Sequence, residues 1–313
     1  MESISIIVPV YNEEPVLKEF YQRASAVLND LEGMRGEILF IDDGSSDSSV
    51  DIIRELIGKD ARLSLIKLSR NFGKEAALTA GLDHVDADAV IIIDAHLQDP
   101  PELIPPMIEL WRKGFDTVYG QRTERHGESF VKKTTASLFY RLMGGLGRVS
   151  IPRDTGDFRL ISRRAVNALR SLPESNRFMK GLFSWIGYPQ IALRYSREAR
   201  QAGDTKFNYW KLWNFALDGI TSFTTLPLKL ASYIGVFLAF GSFFYGAYVI
   251  VKTIFWGDPV PGYPSLMTVV LFIGGIQLMF LGVLGEYLGR MFDETKRRPL
   301  YLVQEHVRQE AEK

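Results

Sequence analysis

Apolar residues along this chain come first in short bursts and later in two long stretches. The bursts at Ile4–Val10, Glu37–Ile41, Leu63–Leu68, Ala89–Ile93 and Thr117–Gly120 have the length and content of buried strands. Between them the apolar positions recur at helical spacing. Val16, Phe20, Ala24, Val27 and Leu31 share one side of a helix over Val16–Leu31, and further helices are predicted at Ser48–Leu56, Lys74–His84 and Pro101–Lys113. Strand and helix thus alternate, which predicts an α/β domain: a mainly parallel sheet with helices on both faces. Ligands of such sheets gather at the carboxyl ends of the strands. Tyr11, Asp42, Asp94 and Arg122 fall at those ends. No internal repeat or low-complexity segment interrupts the pattern.

The long stretches are different. Between Lys229 and Lys252 lie 22 residues without a charge, and between Asp258 and Glu286 lie 27 more. A helix of the shorter length rises ~33 Å, against a bilayer hydrocarbon core of ~30 Å. Both runs therefore qualify as membrane spans, at about 230–254 and 264–286. Glycines punctuate them (Gly235, Gly241, Gly246; Gly274, Gly275, Gly282, Gly285), as suits close helix contact in lipid. The alternative is a pair of buried soluble helices, which rarely lose every charge for so long. Ahead of the first run, Phe207, Tyr209, Trp210, Trp213, Phe215 and Phe223 are interleaved with Lys206, Lys211 and Asp218. Rings mixed with lysines suit the headgroup layer, so 206–228 is read as interfacial helix, with an ordinary amphipathic core helix as the alternative.

Composition narrows the classes. With no cysteine, disulfide frameworks, thiolate metal sites and cysteine nucleophiles are excluded. The 37 basic and 37 acidic residues cancel, which argues against a nucleic-acid binder. Ile4–Val10 is too short for a signal peptide and lacks a basic leader, so none is expected. Arg290, Lys296, Arg297, Arg298, Arg308 and Lys313 follow the second long run. By the positive-inside rule that tail, and with it the large amino-terminal domain, is expected in the cytoplasm. The expected organisation is a soluble domain over 1–205, interfacial helices over 206–228, two spans within 229–289 and a tail over 290–313.

Two segments carry candidate chemistry. Asp94-Ala95-His96 closes the most apolar strand, and Gln98 follows. Alternate residues of an extended segment point the same way, so Asp94, His96 and Gln98 can converge on a divalent cation. Such a cation neutralises a diphosphate leaving group. A structural His and an ordinary strand-end carboxylate are the alternative. Asp42-Asp43-Gly44-Ser45 closes the second strand. A carboxylate there can accept hydrogen bonds from a base or ribose, or it can simply cap an Asp-Gly turn.

Taken in order, Val8-Pro9-Val10-Tyr11-Asn12-Glu13-Glu14, Asp42-Asp43-Gly44-Ser45, Arg70-Asn71-Phe72-Gly73-Lys74-Glu75, Asp94-Ala95-His96-Leu97-Gln98-Asp99-Pro100 and Thr155-Gly156-Asp157-Phe158-Arg159-Leu160 resemble glycosyltransferase family 2. More narrowly, they look like the polyprenyl-phosphate glycosyltransferases related to dolichyl-phosphate mannose synthase. Arg177-Phe178-Met179-Lys180-Gly181, Gly285-Glu286-Tyr287-Leu288-Gly289-Arg290 and Lys296-Arg297-Arg298-Pro299 extend the likeness to the tail, where it is strongest to bactoprenol glucosyl transferases of O-antigen glucosylation. The resemblance implies a cytoplasmic GT-A domain at the bacterial inner membrane, UDP-glucose as donor, undecaprenyl phosphate as acceptor, and a homo-oligomer, a tetramer as in relatives. The same-class alternatives are GDP-mannose or UDP-amino-arabinose as donor; a non-catalytic membrane scaffold is the other-class one. Carried over by position, Pro9, Tyr11, Glu13 and Asp42 hold the nucleoside, and Asp94 and Ala95 lie against the donor. His96 and Gln98 join Asp94 at a Mg²⁺ or Mn²⁺ ion. Arg122, Arg200 and Lys206 face phosphates. Lys132, Lys133, Ser137 and Arg141, with Arg122, are candidates for the lipid phosphate, or else a solvated helix face. Asp157 is the base or the residue that orients the acceptor. One departure stands out: the family usually shows Asp-x-Asp, and His96 replaces the second Asp. Imidazole is softer than carboxylate, which shifts the expected preference from Mg²⁺ towards Mn²⁺.

Overall fold

The computed structural model describes residues 1–122, 152, 155–175, 177–196, 226–257 and 262–309. It divides into two units, Met1–Ala216 with Arg298–Lys313, and Leu217–Arg297.

The first unit is built on β1 (Glu2–Val10), α1 (Leu17–Asp30), β2 (Met34–Asp42), α2 (Ser49–Ile57), β3 (Leu63–Leu68), α3 (Lys74–His84) and β4 (Ala89–Ile92). A short 3-10 turn (Pro101–Leu103) leads into α4 (Ile104–Arg112), then β5 (Thr117–Arg122). Beyond these come β6 (Thr155–Ser162), α5 (Arg163–Arg170), α6 (Met179–Trp185), β7 (Gln190–Tyr195) and, after the second unit, β8 (Val303–Arg308). The described strands form one sheet in the order β7-β5-β6-β4-β1-β2-β3-β8. β4, β1, β2 and β3 run parallel; β6 is antiparallel to both β4 and β5, and β8 is antiparallel to β3.

β1 is central and buried on both faces, which is why it reads as a nearly unbroken apolar run. Ile4, Ile6, Val8 and Val10 join Phe20 and Leu17 of α1, Ile53 of α2 and Met107 of α4 in one core. Phe20 meets Phe40 edge-on, centroids 6.3 Å apart. Ile7 and Ile41 face the other way, with α3 packed over β1 and β2. From β1 the chain winds outward through β2 to β3, then crosses back to place β4 on β1's other side. That reversal opens a crevice at the carboxyl ends of β1 and β4.

Two features differ from the sequence expectation. β5 does not neighbour β4; β6 wedges between them. Its Thr-Gly-Asp-Phe-Arg-Leu stretch mixes buried and polar positions, so no apolar period marks it as a strand. The carboxyl-terminal segment, expected as a tail, instead returns to the sheet: β8 pairs with β3 from Ser64↔Arg308 to Leu68↔Val303. Glu305 bonds Arg54 at 2.6 Å, and the Tyr301 hydroxyl donates to Asp83 at 2.9 Å. The segment 206–225, read as interfacial helix, lies outside the described residues.

The second unit holds α7 (Leu226–Trp256) and α8 (Tyr263–Lys296). Each contains an 18-residue window apolar enough to cross a membrane, with mean hydropathy 2.0 and 2.1, and neither window is buried. Phe237, Phe243, Phe244 and Tyr245 of α7 and Leu278 and Leu281 of α8 stand exposed.

Candidate active site

Sheet register brings the key carboxylates together. β4 and β6 pair Ile92 with Arg159, and carrying that antiparallel register two residues further sets Asp94 across from Asp157. Between them lies a cation. Lys74 Nζ is 2.6 Å from Asp94 Oδ1 and 2.6 Å from Asp157 Oδ2. It also donates to Asp94 Oδ2 at 2.8 Å, and His96 Nε2 approaches that same oxygen at 3.1 Å. Lys74 is the first residue of α3, entered through Gly73 at φ 97°, a conformation that favours glycine. Asp43 fixes this entry by accepting the Phe72 and Gly73 N–H groups at 2.7 and 2.9 Å.

The charges tune one another. Burial would raise the Asp94 carboxyl, but the Lys74 ammonium and the His96 ring hold it below the usual carboxylate range. Asp157 is likewise lowered: burial opposes this, and Lys74 and Lys180 prevail. Burial would depress Lys74, yet the two carboxylates raise it. Behind Asp157, Arg159 stacks on the Phe183 ring at 3.8 Å and donates to the carbonyls of Gly156 (3.0 Å) and Asp157 (3.3 Å). Burial lowers this guanidinium to about 10, still charged at neutral pH.

Glu75 is pushed from 4.5 to about 7, by burial first and then by Asp157. Its raised value means the native state holds the proton more tightly than the unfolded chain does. The stability this contributes is complete below 4.5 and is lost as pH rises through about 7. Glu75→Gln is therefore expected to flatten the fall of Tm across that window, by up to ~3 kcal/mol of stability at its upper end. Thermal melts of both proteins over a pH series check this, and parallel curves would refute it.

Of the sequence candidates, Pro9, Tyr11, Glu13, Asp94, Ala95 and His96 line the crevice, together with Asp43, Asn71 and Lys74. Gln98 is buried but is not among the lining side chains. The extended alternation expected from Asp94 to Gln98 is absent: the backbone turns at Ala95-His96, and Leu97 adopts φ 56°. Asp42 is fully buried, and its carboxylate accepts the N–H groups of Gly44 (3.2 Å) and Ser45 (3.2 Å). That is the turn-capping alternative, and Asp43 is the member of the pair at the crevice. Arg122 lies at the end of β5, 3.8 Å from Asp99, and its buried Nε has no partner among the described residues. Gly156 makes room for it, since a Cβ there would stand 2.9 Å from the guanidinium. Arg200, Lys206, Lys132, Lys133, Ser137 and Arg141 lie outside the described residues.

A divalent ion fits Asp94 and His96 to a limited degree. The two donors are adjacent, and the buried His96 Nδ1 lacks a partner among the described residues. No group of three or more His, Cys, Asp or Glu able to hold a metal occurs among the described residues, so remaining ligands would come from substrate oxygens. The sequence motifs contain Lys74, Asp43 and Arg159, but no individual role was expected of them. Lys74 looks like any first-turn surface lysine, and only the β4–β6 register reveals its partners.

A family model for glycosyl transferase family 2 matches residues 5–170, and one for the GtrB C-terminal hairpin matches residues 226–291. The chain is 51% identical over 300 residues to an uncharacterized glycosyltransferase of Synechocystis, spanning 96% of this chain and 94% of that one. It is 49% identical to the bactoprenol glucosyl transferase of Shigella phage SfX, spanning 96% and 98%. To the prophage bactoprenol glucosyl transferase homolog of Escherichia coli it is 48% identical, again over 96% and 98%. Among solved structures it is similar to glucosyl-3-phosphoglycerate synthase of Mycobacterium tuberculosis in complex with Mn²⁺, UDP and phosphoglyceric acid. There the identity is 22%, the TM-score 0.49, and the coverage 70% of this chain and 76% of that one.

Proposed function

This chain belongs to glycosyl transferase family 2 and folds as a GT-A glycosyltransferase, and on that footing we propose that it transfers glucose from UDP-glucose to undecaprenyl phosphate at the cytoplasmic face of the bacterial inner membrane. The observation that carries the reading is the Asp94–Lys74–Asp157 bridge in the crevice between β1 and β4. Relatives named for bactoprenol glucosyl transfer match this chain through the helical hairpin as well as the sheet, which supports the acceptor and the sugar.

The chemistry follows from charge. A lipid phosphate oxygen attacks the anomeric carbon in line, the bond to the nucleotide diphosphate breaks, and the configuration inverts. The acceptor is a phosphate monoester with a second pKa near ~6, so it needs little deprotonation. Bringing two anions to ~4 Å costs about 4 kcal/mol at an effective dielectric of 20. Lys74 and Arg122 offset that repulsion, and Arg200 and Lys206 are proposed to offset it further. Asp157, anionic and fixed by Arg159 and Lys74, orients the acceptor. A divalent ion at Asp94 and His96 would supply charge neutralisation for the leaving diphosphate, with Mn²⁺ favoured over Mg²⁺ by the imidazole.

The anchor is α7 and α8. The 22-residue charge-free run of α7 would rise ~33 Å, against the ~30 Å hydrocarbon core, and the charge-free run Tyr263–Gly285 of α8 is of similar length. Their exposed rings and the Lys296-Arg297-Arg298 cluster support two crossings with both termini in the cytoplasm. The glycine-rich faces support a homo-oligomer.

The full-length protein in detergent, given UDP-glucose, undecaprenyl phosphate and Mn²⁺, is expected to release UDP and form glucosyl lipid. Competition with GDP-mannose or UDP-amino-arabinose reads the donor, and transfer from one of these alone would overturn glucose. Mn²⁺ is expected to support a faster rate than Mg²⁺, and His96→Asp to reverse that order. A strict Mg²⁺ preference in the native enzyme would count against the role given to His96.

A further inference from the structure

We propose that Lys74 competes with the divalent ion for Asp94, so that metal binds well only once the donor's diphosphate draws the lysine aside. The inference rests on the reading of Asp94 and His96 as the metal-holding pair.

Both oxygens of Asp94 are occupied. Oδ1 faces the Lys74 ammonium at 2.6 Å, while Oδ2 is shared between that ammonium at 2.8 Å and His96 Nε2 at 3.1 Å. A cation arriving at Asp94 meets a positive charge already within hydrogen-bond distance, and at such range like charges repel strongly. Lys74 is nevertheless not locked in: its side chain is 42% exposed and lines the crevice. Its flexible stem and point charge let it exchange one anionic partner for another. Asp157, 2.6 Å away on the far side, keeps it at the site when Asp94 is surrendered.

A diphosphate entering the crevice offers Lys74 a stronger partner than half of Asp94. Nucleotide and metal should then bind with positive coupling, and by linkage each improves the other's affinity by the same factor. The device would keep the ion from settling on the enzyme before donor is present.

Electron paramagnetic resonance of Mn²⁺ with the full-length protein in detergent, with and without UDP, tests this without reference to turnover. The unaltered protein is expected to bind Mn²⁺ weakly alone and more tightly with UDP. Lys74→Met is expected to bind Mn²⁺ alone about tenfold more tightly, and to lose a similar factor of the UDP enhancement. Lys74→Arg, which keeps the charge, should behave like the unaltered protein. If a thermal melt shows Lys74→Met unfolded, Lys74→Gln takes its place. Unchanged or weaker Mn²⁺ binding in the neutral variant would overturn the competition while leaving the metal pair standing. Absence of Mn²⁺ binding by the unaltered protein, with UDP or without, would remove the metal pair and this inference together.

Discussion

Asp94→Asn is expected to lower turnover by about 10³-fold while leaving the fold intact. The amide keeps the shape of the side chain but removes the charge at the point where three interactions meet. Lys74 loses one of its two carboxylates, and His96 loses the oxygen 3.1 Å from its Nε2. The cation proposed to neutralise the leaving diphosphate loses its one proposed anionic ligand among the described residues. Fold should survive because Asp94 closes β4 without being part of its ladder, and the neighbouring Ile93 N–H still donates to the Ile7 carbonyl at 3.1 Å. Initial rates of UDP release, read beside circular dichroism and Tm, check this. A loss below tenfold in a folded variant would move the chemistry elsewhere.

Asp157→Asn is expected to cost about 10²-fold in kcat and to raise KM for the acceptor. The sign of its pKa shift says what kind of loss this is. Held below the usual carboxylate range against the effect of burial, by Lys74 and Lys180, Asp157 is a weak base. The lipid-phosphate acceptor proposed above is already ionised near neutral pH. The pH profile of kcat/KM should therefore keep its shape in the variant and only shift down. Disappearance of the acid limb in Asp157→Asn would instead make this residue a general base.

Much of this arrangement was readable from residue pattern, and what was not has identifiable causes. β1, β2, β3 and β4 announce themselves because strands buried on both faces must be apolar throughout. α1 is equally plain from Val16, Phe20, Ala24 and Val27. β6 is hidden because a buried arginine and an aspartate paired with Lys74 occupy it, and β8 because an edge strand of Val-Gln-Glu-His-Val-Arg needs no apolar face. At the site, Asp94 and His96 were legible from their position after an apolar strand. Lys74 was not, since its partners come from β4 and β6, distant in sequence. The Asp42-Asp43 pair shows the limit of local reading: one carboxylate caps the turn and the other faces the crevice, and only the direction of the backbone after β2 decides which.

The strand that completes the sheet beside β3 has a bearing on biogenesis. It is synthesised after both apolar helices, so the edge of β3 stays unpaired while they are made. On the two crossings proposed above, the nascent chain re-emerges on the side of the sheet, where β8 can pair with β3. On that reading, deleting either helix is expected to leave β8 on the other side of the bilayer and the β3 edge open, which invites aggregation.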